Sequence, residues 1–232
     1  MAIIDFVGIP GAGKSTLVTL YIKDSKESGI IFKNLNKVHR SLFIHGVSKA
    51  ARLVRAIFYP SSWKVIISLI HFLKQFPFYK TSALKCLSII DNFNRIVTAK
   101  GNQYFIYDNG LLLYISSVSH LNPLYETDRL KAVLTALKPA LLKTIYVYCK
   151  VDAETASFRA GIRQHDGHRF DSLYEDERLV ALEVRRSNLD TIINTIKKLG
   201  IEVCLITIDS SVSVEGAYSE LRRELDKTVQ FQ

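Results

Sequence analysis

A chain of 232 residues that is 48% hydrophobic and 23% charged can bury one substantial core but is short for two ordinary domains. This composition excludes collagen-like, low-complexity and disulfide-scaffold proteins, and the three cysteines, Cys86, Cys149 and Cys204, have no metal-ligand or C-x-x-C spacing. The net charge of +9 is concentrated in one place: between Glu27 and Asp91 there is no acidic residue, while ten lysines and arginines run from Lys33 to Lys85.

The first element is an apolar run, Ile3 to Ile9, that reads as a buried strand. Gly8-Ile9-Pro10-Gly11-Ala12-Gly13-Lys14-Ser15 follows, a full match to G-x-x-x-x-G-K-[ST] lying between a strand and a helical pattern. Glycines let successive N–H groups turn inward to cradle phosphate, and the helix starting near Lys14 adds its positive end. Lys14 is expected to reach the β and γ phosphates, Ser15 to bind magnesium, and Thr16 to contact the α phosphate or support the first helical turn. Because the loop starts so early, no secretory leader is expected and a reduced, cytoplasmic address is.

Ile30 to Asn34 is a second strand run, and the basic stretch after it, about residues 37–100, reads as a helical insertion. Within it, Ser61 to Phe76 has helical spacing, with Lys64, Ser68, His71 and Gln75 on one side and Ile66, Leu69, Ile70 and Leu73 on the other. It is too short and too interrupted to span a bilayer. At the chain's overall acidic frequency about six acids would fall in residues 28–90, so their absence points to selection on charge. Trp63, Phe72, Phe76, Phe78 and Tyr79 among the lysines suit an anionic membrane surface, with an apolar hairpin over a substrate site as the plainer reading. Nucleic acid ranks behind both, since no binding motif is present.

Tyr104 to Asp108 forms the third strand run, and Asp108 at its end is the expected partner of Ser15 at the metal. Asp91 and Arg95, one helical turn apart before that strand, are candidate acceptor contacts or a surface ion pair. After a fourth run, Thr144 to Cys149, Asp152 can cap a helix from Ala153 to Arg163 that carries Arg159 and Arg163 on one face. A closing arginine-bearing lid, about residues 153–171 and including Arg169, would bring positive charge over a γ-phosphate. His165 and His168 lack a third ligand and are not read as a metal site. A long helix from about Ser172 to Gly200, a fifth strand, Glu202 to Ile208, and a last helix, Val214 to Lys227, complete an α/β pattern of parallel strands covered by helices.

With the loop, Asp108, the arginines after "YVYCKVDAETASF" and the final "ITIDSSVSVEGAYSELRREL", the chain resembles the P-loop kinases of the thymidylate kinase and deoxynucleoside kinase group, within the wider nucleoside-monophosphate-kinase-like family. The resemblance spans most of the length. It implies a single-domain three-layer P-loop sandwich, a five-stranded parallel sheet in order 2-3-1-4-5, ATP as phosphate donor, and the turn around Asp209 to Ser211 beside the adenine. Nucleotide contacts would come from Gly8, Pro10, Gly11, Ala12, Gly13, Lys14, Ser15, Thr16, Arg159 and Asp209. Catalysis would rest on Lys14, Asp108, Arg159 and Arg163, with Ser15 and Asp108 at Mg2+. Members usually carry an acidic residue just after the second strand and an arginine after the third-strand acid, whereas this chain has "FKNLNK" and Asn109.

The expected activity is Mg-ATP-dependent phosphoryl transfer to a small, nucleoside- or nucleotide-like acceptor. Alternatives are a sugar or glycan-linked acceptor at the inner membrane surface, and a regulatory ATPase that transfers only to water. GTP is disfavoured, because "NKVH" at Asn36 is too early and lacks the aspartate of a guanine signature. Partner expectations are ATP, the acceptor, peripheral contact with an anionic membrane, and a homodimer.

Overall fold

The computed structural model describes residues 2–27, 32–34, 59–77, 80–100, 104–119, 122–162 and 173–229. Five strands form one sheet: β1 (Ala2–Val7), β2 (Phe32–Asn34), β3 (Tyr104–Tyr107), β4 (Ile145–Lys150) and β5 (Cys204–Asp209). Their spatial order is β2-β3-β1-β4-β5 and all pairings are parallel. A strand covered on both faces needs side chains that suit burial whichever way they point. The middle of the sheet meets this demand, since Ile3 to Val7 of β1 and Ile145 to Cys149 of β4 are all buried.

Helices fill the crossovers: α1 (Lys14–Glu27) after β1, α2 (Pro60–Leu73) and α3 (Lys80–Thr98) between β2 and β3, and α4 (Leu111–Val118) and α5 (Asp128–Leu141) between β3 and β4. Then come α6 (Ala153–Ile162), α7 (Glu175–Lys198) and, after β5, α8 (Val214–Val229). The β1-to-β2 crossover runs one way across the sheet and the later ones the other, so right-handedness puts α1 on one face and the later crossover helices on the opposite face. The final helix α8 returns to α1, where Asp24 accepts hydrogen bonds from Tyr218 and Arg222 at 2.7 Å each.

Asn188 holds the crowded face together. It is fully buried on α7; its Oδ1 accepts from Leu124 N at 2.6 Å, and its Nδ2 donates to Ser119 Oγ and Asn122 O at 3.1 Å each. One amide thus closes the end of α4 and the approach to α5 against α7.

The insertion helix α2 differs from its sequence-based outline. Val65, Leu69 and Phe72 are its buried face, together with Ser62, whose hydroxyl donates to Asn94 Oδ1 of α3 at 2.6 Å. Ile70, expected on the apolar side, is 50% exposed. The helix is apolar on more than one side, and packing against α3 and α5 chose a different stripe from the one that periodicity picked out.

Replacing Asn188 by alanine strips partners from the buried Leu124 amide, the buried Ser119 hydroxyl and the part-buried Asn122 carbonyl, and should lower unfolding stability by about 2–4 kcal/mol, read from the midpoint of urea denaturation.

Candidate functional site

Parallel strands bring their C-terminal ends to one edge of the sheet, and the loop from Gly8 to Gly13 leaves β1 there. The backbone turns at Gly11 (φ 88°) and Gly13 (φ 74°), both in the left-handed region. Gly11 also lies under the start of α6, where a Cβ would sit 2.3 Å from the Ala156 carbonyl oxygen. Hence the loop touches the base of the arginine-bearing helix, and only glycine fits between them.

Lys14 opens α1, is 8% exposed, and donates from Nζ to the carbonyl oxygens of Gly8 and Ile9 at 2.9 Å each. Its ammonium is therefore folded over the loop that precedes it. Ser15 and Thr16 are exposed in the first helical turn. Ser15 Oγ donates to Asp108 Oδ2 at 2.7 Å, so two residues 93 apart in sequence meet beside the loop. A hydroxyl and a carboxylate at this distance are hard oxygen donors suited to Mg2+, which takes one or two protein ligands and completes its shell with phosphate and water. No cluster of three or more His, Cys, Asp or Glu side chains that could hold a metal occurs among the described residues.

Asp108 owes its position to a residue that the sequence reading passed over. Asp5 lies inside β1, 1% exposed, and accepts a hydrogen bond from Leu111 N at 2.9 Å, the first residue of α4. Gly110, between them, packs so closely that a Cβ there would lie 2.1 Å from Asp5 Oδ2. The turn Asp108-Asn109-Gly110 is therefore pinned to the central strand at its far end. Loss of water pushes the Asp5 carboxyl up to about 8, against the amides of Leu111 and Gly110, which lower it. The available signal in the sequence was one acidic residue inside an otherwise apolar strand.

Arg159 projects from α6 toward the turn after β5: Nη1 donates to Ser210 O at 2.5 Å and Nη2 to Ser211 O at 3.3 Å. That turn is also tied to β4, through Ser210 N to Lys150 O at 2.8 Å, and closed on itself by Asp209, whose Oδ1 accepts from Ser211 N at 2.9 Å and Ser211 Oγ at 2.5 Å. These bonds hold the Asp209 carboxyl below its ordinary range. In this arrangement the Arg159 guanidinium and the Asp209 carboxylate both serve the turn. Asp152 caps α6, accepting from Thr155 N at 2.6 Å, and Arg178 of α7, 9% exposed, supports α6 from below through Ser157 Oγ at 3.0 Å. Arg178 was also missed, because it follows the lid in sequence and looks like an ordinary helix charge.

Arg163, His165, His168 and Arg169 lie outside the described residues, as does the whole of the expected lid beyond Ile162. Asp91 and Arg95 do form an ion pair, at 3.0 Å, with the Asp91 carboxylate buried and the Arg95 side chain partly exposed. All three cysteines are free, and burial pushes the Cys86 and Cys149 thiols up to about 12 and 11, away from thiolate chemistry.

No protein-family model and no curated protein sequence matches the chain. Solved structures do match at the level of fold. A deoxyadenosine kinase from M. mycoides with the products dCMP and a flexible dCDP bound is 17% identical with a TM-score of 0.55, the match covering 97% of this chain and 99% of that one. Structures of deoxyadenosine kinase from M. mycoides with bound dATP (17% identical) and dCTP (16% identical) have TM-scores of 0.53 over the same coverage. The fold is therefore shared with these deoxyadenosine kinase structures almost from end to end.

The buried Asp5 carboxyl makes stability depend on pH. In the fold it stays protonated up to about 8, whereas in the unfolded chain it ionises above its ordinary 3.8. The unfolded state binds fewer protons across that window, so this group's contribution to stability falls as pH rises through it. Asp5→Asn, which keeps an acceptor for Leu111 N, should remove this component, and the difference in urea midpoint between wild type and variant should grow from pH 4 to pH 8 in the variant's favour.

Proposed function

We propose that this chain is a single-domain, Mg-ATP-dependent kinase that passes the γ-phosphate of ATP to a nucleoside- or nucleotide-like acceptor. The observation that carries the proposal is the meeting of Ser15 and Asp108 at 2.7 Å beside a complete phosphate loop headed by a buried lysine. Support comes from the shared fold, since the matched structures are kinases with deoxynucleotides bound.

Each residue then has a task. Backbone amides from Gly8 to Ser15 receive the phosphates, with Pro10 and Ala12 shaping the loop and Thr16 next to the α phosphate. Lys14 exchanges its two carbonyl acceptors for phosphate oxygens, a short movement for a side chain already over the loop. Ser15 and Asp108 would hold Mg2+, which would supply positive charge to offset charge developing on the transferred group. Asp5 keeps Asp108 from drifting away from Ser15. Arg159 fastens the Asp209–Ser211 turn, our proposed adenine edge, to α6, so nucleotide contact at the turn would be relayed to that helix. The reaction would take place in a cytoplasmic setting.

A second reading for the acceptor, a sugar or glycan-linked group at a membrane surface, is favoured by Asn109. It stands where the nucleoside and thymidylate enzymes of this group usually carry an arginine, and so removes a common acceptor contact.

Transfer from γ-labelled ATP with magnesium should be measured against pooled nucleosides, nucleoside monophosphates, sugars and extracted glycolipids. A labelled nucleoside or nucleotide product supports the main reading, a labelled sugar or glycolipid the second. Release of inorganic phosphate alone, whatever is added, would replace both with a regulatory ATPase. Lys14→Ala should cut transfer by about 10²-fold or more, the scale of losing one preorganised charge at the transition state. Asp108→Asn should weaken activity and raise the magnesium concentration needed for half-maximal rate.

A further inference from the structure

Helix α2 is apolar where it should be polar. Its inner side is complete: Val65, Leu69 and Phe72 are buried against the neighbouring helices. Yet Trp63, Ile67 and Ile70, at i, i+4 and i+7, form a second apolar stripe along the outer side, 48%, 54% and 50% exposed. Tyr59, 40% exposed, extends that stripe at the N-terminal end. Three large apolar side chains in a row on a solvent face are not needed for the fold, and such stripes mark interaction surfaces.

Charge selects among the candidate partners. Lys64 and His71 flank the stripe, Lys74 closes it at the C-terminal end, and all three are exposed. No acidic residue occurs anywhere from 28 to 90 to offset them. A second copy docking here through a two-fold axis would bring Lys64, His71 and Lys74 against the same residues of its mate, so like charges would meet. An acid-rich surface has the opposite relation to it. The geometry of a helix only 14 residues long, aromatic at one end and edged by lysines, is that of a helix lying in the interface plane of a bilayer. None of the described helices is long and apolar enough to cross a membrane.

We infer that the outer face of α2 is a docking surface for an anionic lipid bilayer, with Trp63, Ile67 and Ile70 inserted at headgroup depth and Lys64 and Lys74 at the lipid phosphates. This holds whichever acceptor the phosphate loop serves. It adds a surface distinct from the Ser15–Asp108 centre and gives the acid-free segment a physical reason.

The chain has one tryptophan, and it lies in the stripe. Its emission therefore reports on this face alone. The full-length protein should be titrated with phosphatidylcholine vesicles and with vesicles containing phosphatidylserine, at low and high salt, following Trp63 emission and vesicle co-flotation. The expected result is a blue shift on anionic vesicles, with binding about thirtyfold tighter than to neutral ones for two lysines at the surface, reversed by salt. Ile67→Glu, at an exposed position where folding should survive, is expected to abolish the shift, and Lys64→Glu with Lys74→Glu to erase the preference for anionic lipid. Absence of any shift on either vesicle would overturn the inference, as would equal binding to both. A blue shift that appears with rising protein concentration in the absence of lipid, together with a dimeric mass in solution, would overturn it in favour of a contact between copies.

Discussion

Asp5 occupies a place where a doubly covered strand ordinarily carries an aliphatic side chain, and the acidic half of the candidate site is built on that exception. A buried carboxyl without hydrogen bonds would be severely destabilising. This one is satisfied in part by the amide of Leu111, which α4 cannot itself use because the first N–H groups of a helix have no partner within it. The two deficits offset each other, and the bond between them fixes the turn that carries Asp108. Gly110 follows as a requirement, since any side chain there would occupy the space of the Asp5 carboxylate. Through this chain of constraints the position of a candidate metal ligand depends on a residue three places before the glycine loop.

A similar economy of contact joins the loop to the helix above it. Gly11 admits the Ala156 carbonyl, Asp152 caps the start of α6, Arg178 supports it through Ser157, and Arg159 reaches from α6 to the turn after β5. Loop, lid base and turn are three segments widely separated in sequence that are mechanically one unit here. A nucleotide bound between them would meet a preformed frame on three sides. What remains adjustable is the Lys14 ammonium, whose two bonds to loop carbonyls can be exchanged for bonds to phosphate oxygens.

The parts of this arrangement that could be read from the sequence are those in which local chemistry dictates local shape. The turn from Gly8 to Ser15 is one such part, because glycines stand at positions 11 and 13, where the backbone enters the left-handed region. Apolar runs bounded by turn residues located the strands to within two residues at either end. Asp5 was illegible for the opposite reason: its role is set by Leu111, 106 residues away, and within its own run it reads only as a blemish. Arg159 looked like a phosphate-facing charge because spacing gives the face of a helix but not what lies opposite that face. Its two carbonyl partners belong to a turn some 50 residues later.

Helix α2 shows the same limit most clearly. Periodicity assigns a helix a single apolar direction, so a helix with two apolar sides yields a compromise that describes neither. Ile70 was assigned inward by this averaging, and the packing of Val65, Leu69 and Phe72 turns it out. The misassignment is itself informative. A helix that needed only to cover the core would have placed polar residues at 63, 67 and 70, at no cost to its buried face, so the apolar residues there answer to something beyond the fold of the single chain. Since Lys64, His71 and Lys74 along this helix are all basic, an anionic surface is the one that would complement it, and a nucleoside- or sugar-sized acceptor is too small to cover a stripe that runs from Tyr59 to Lys74.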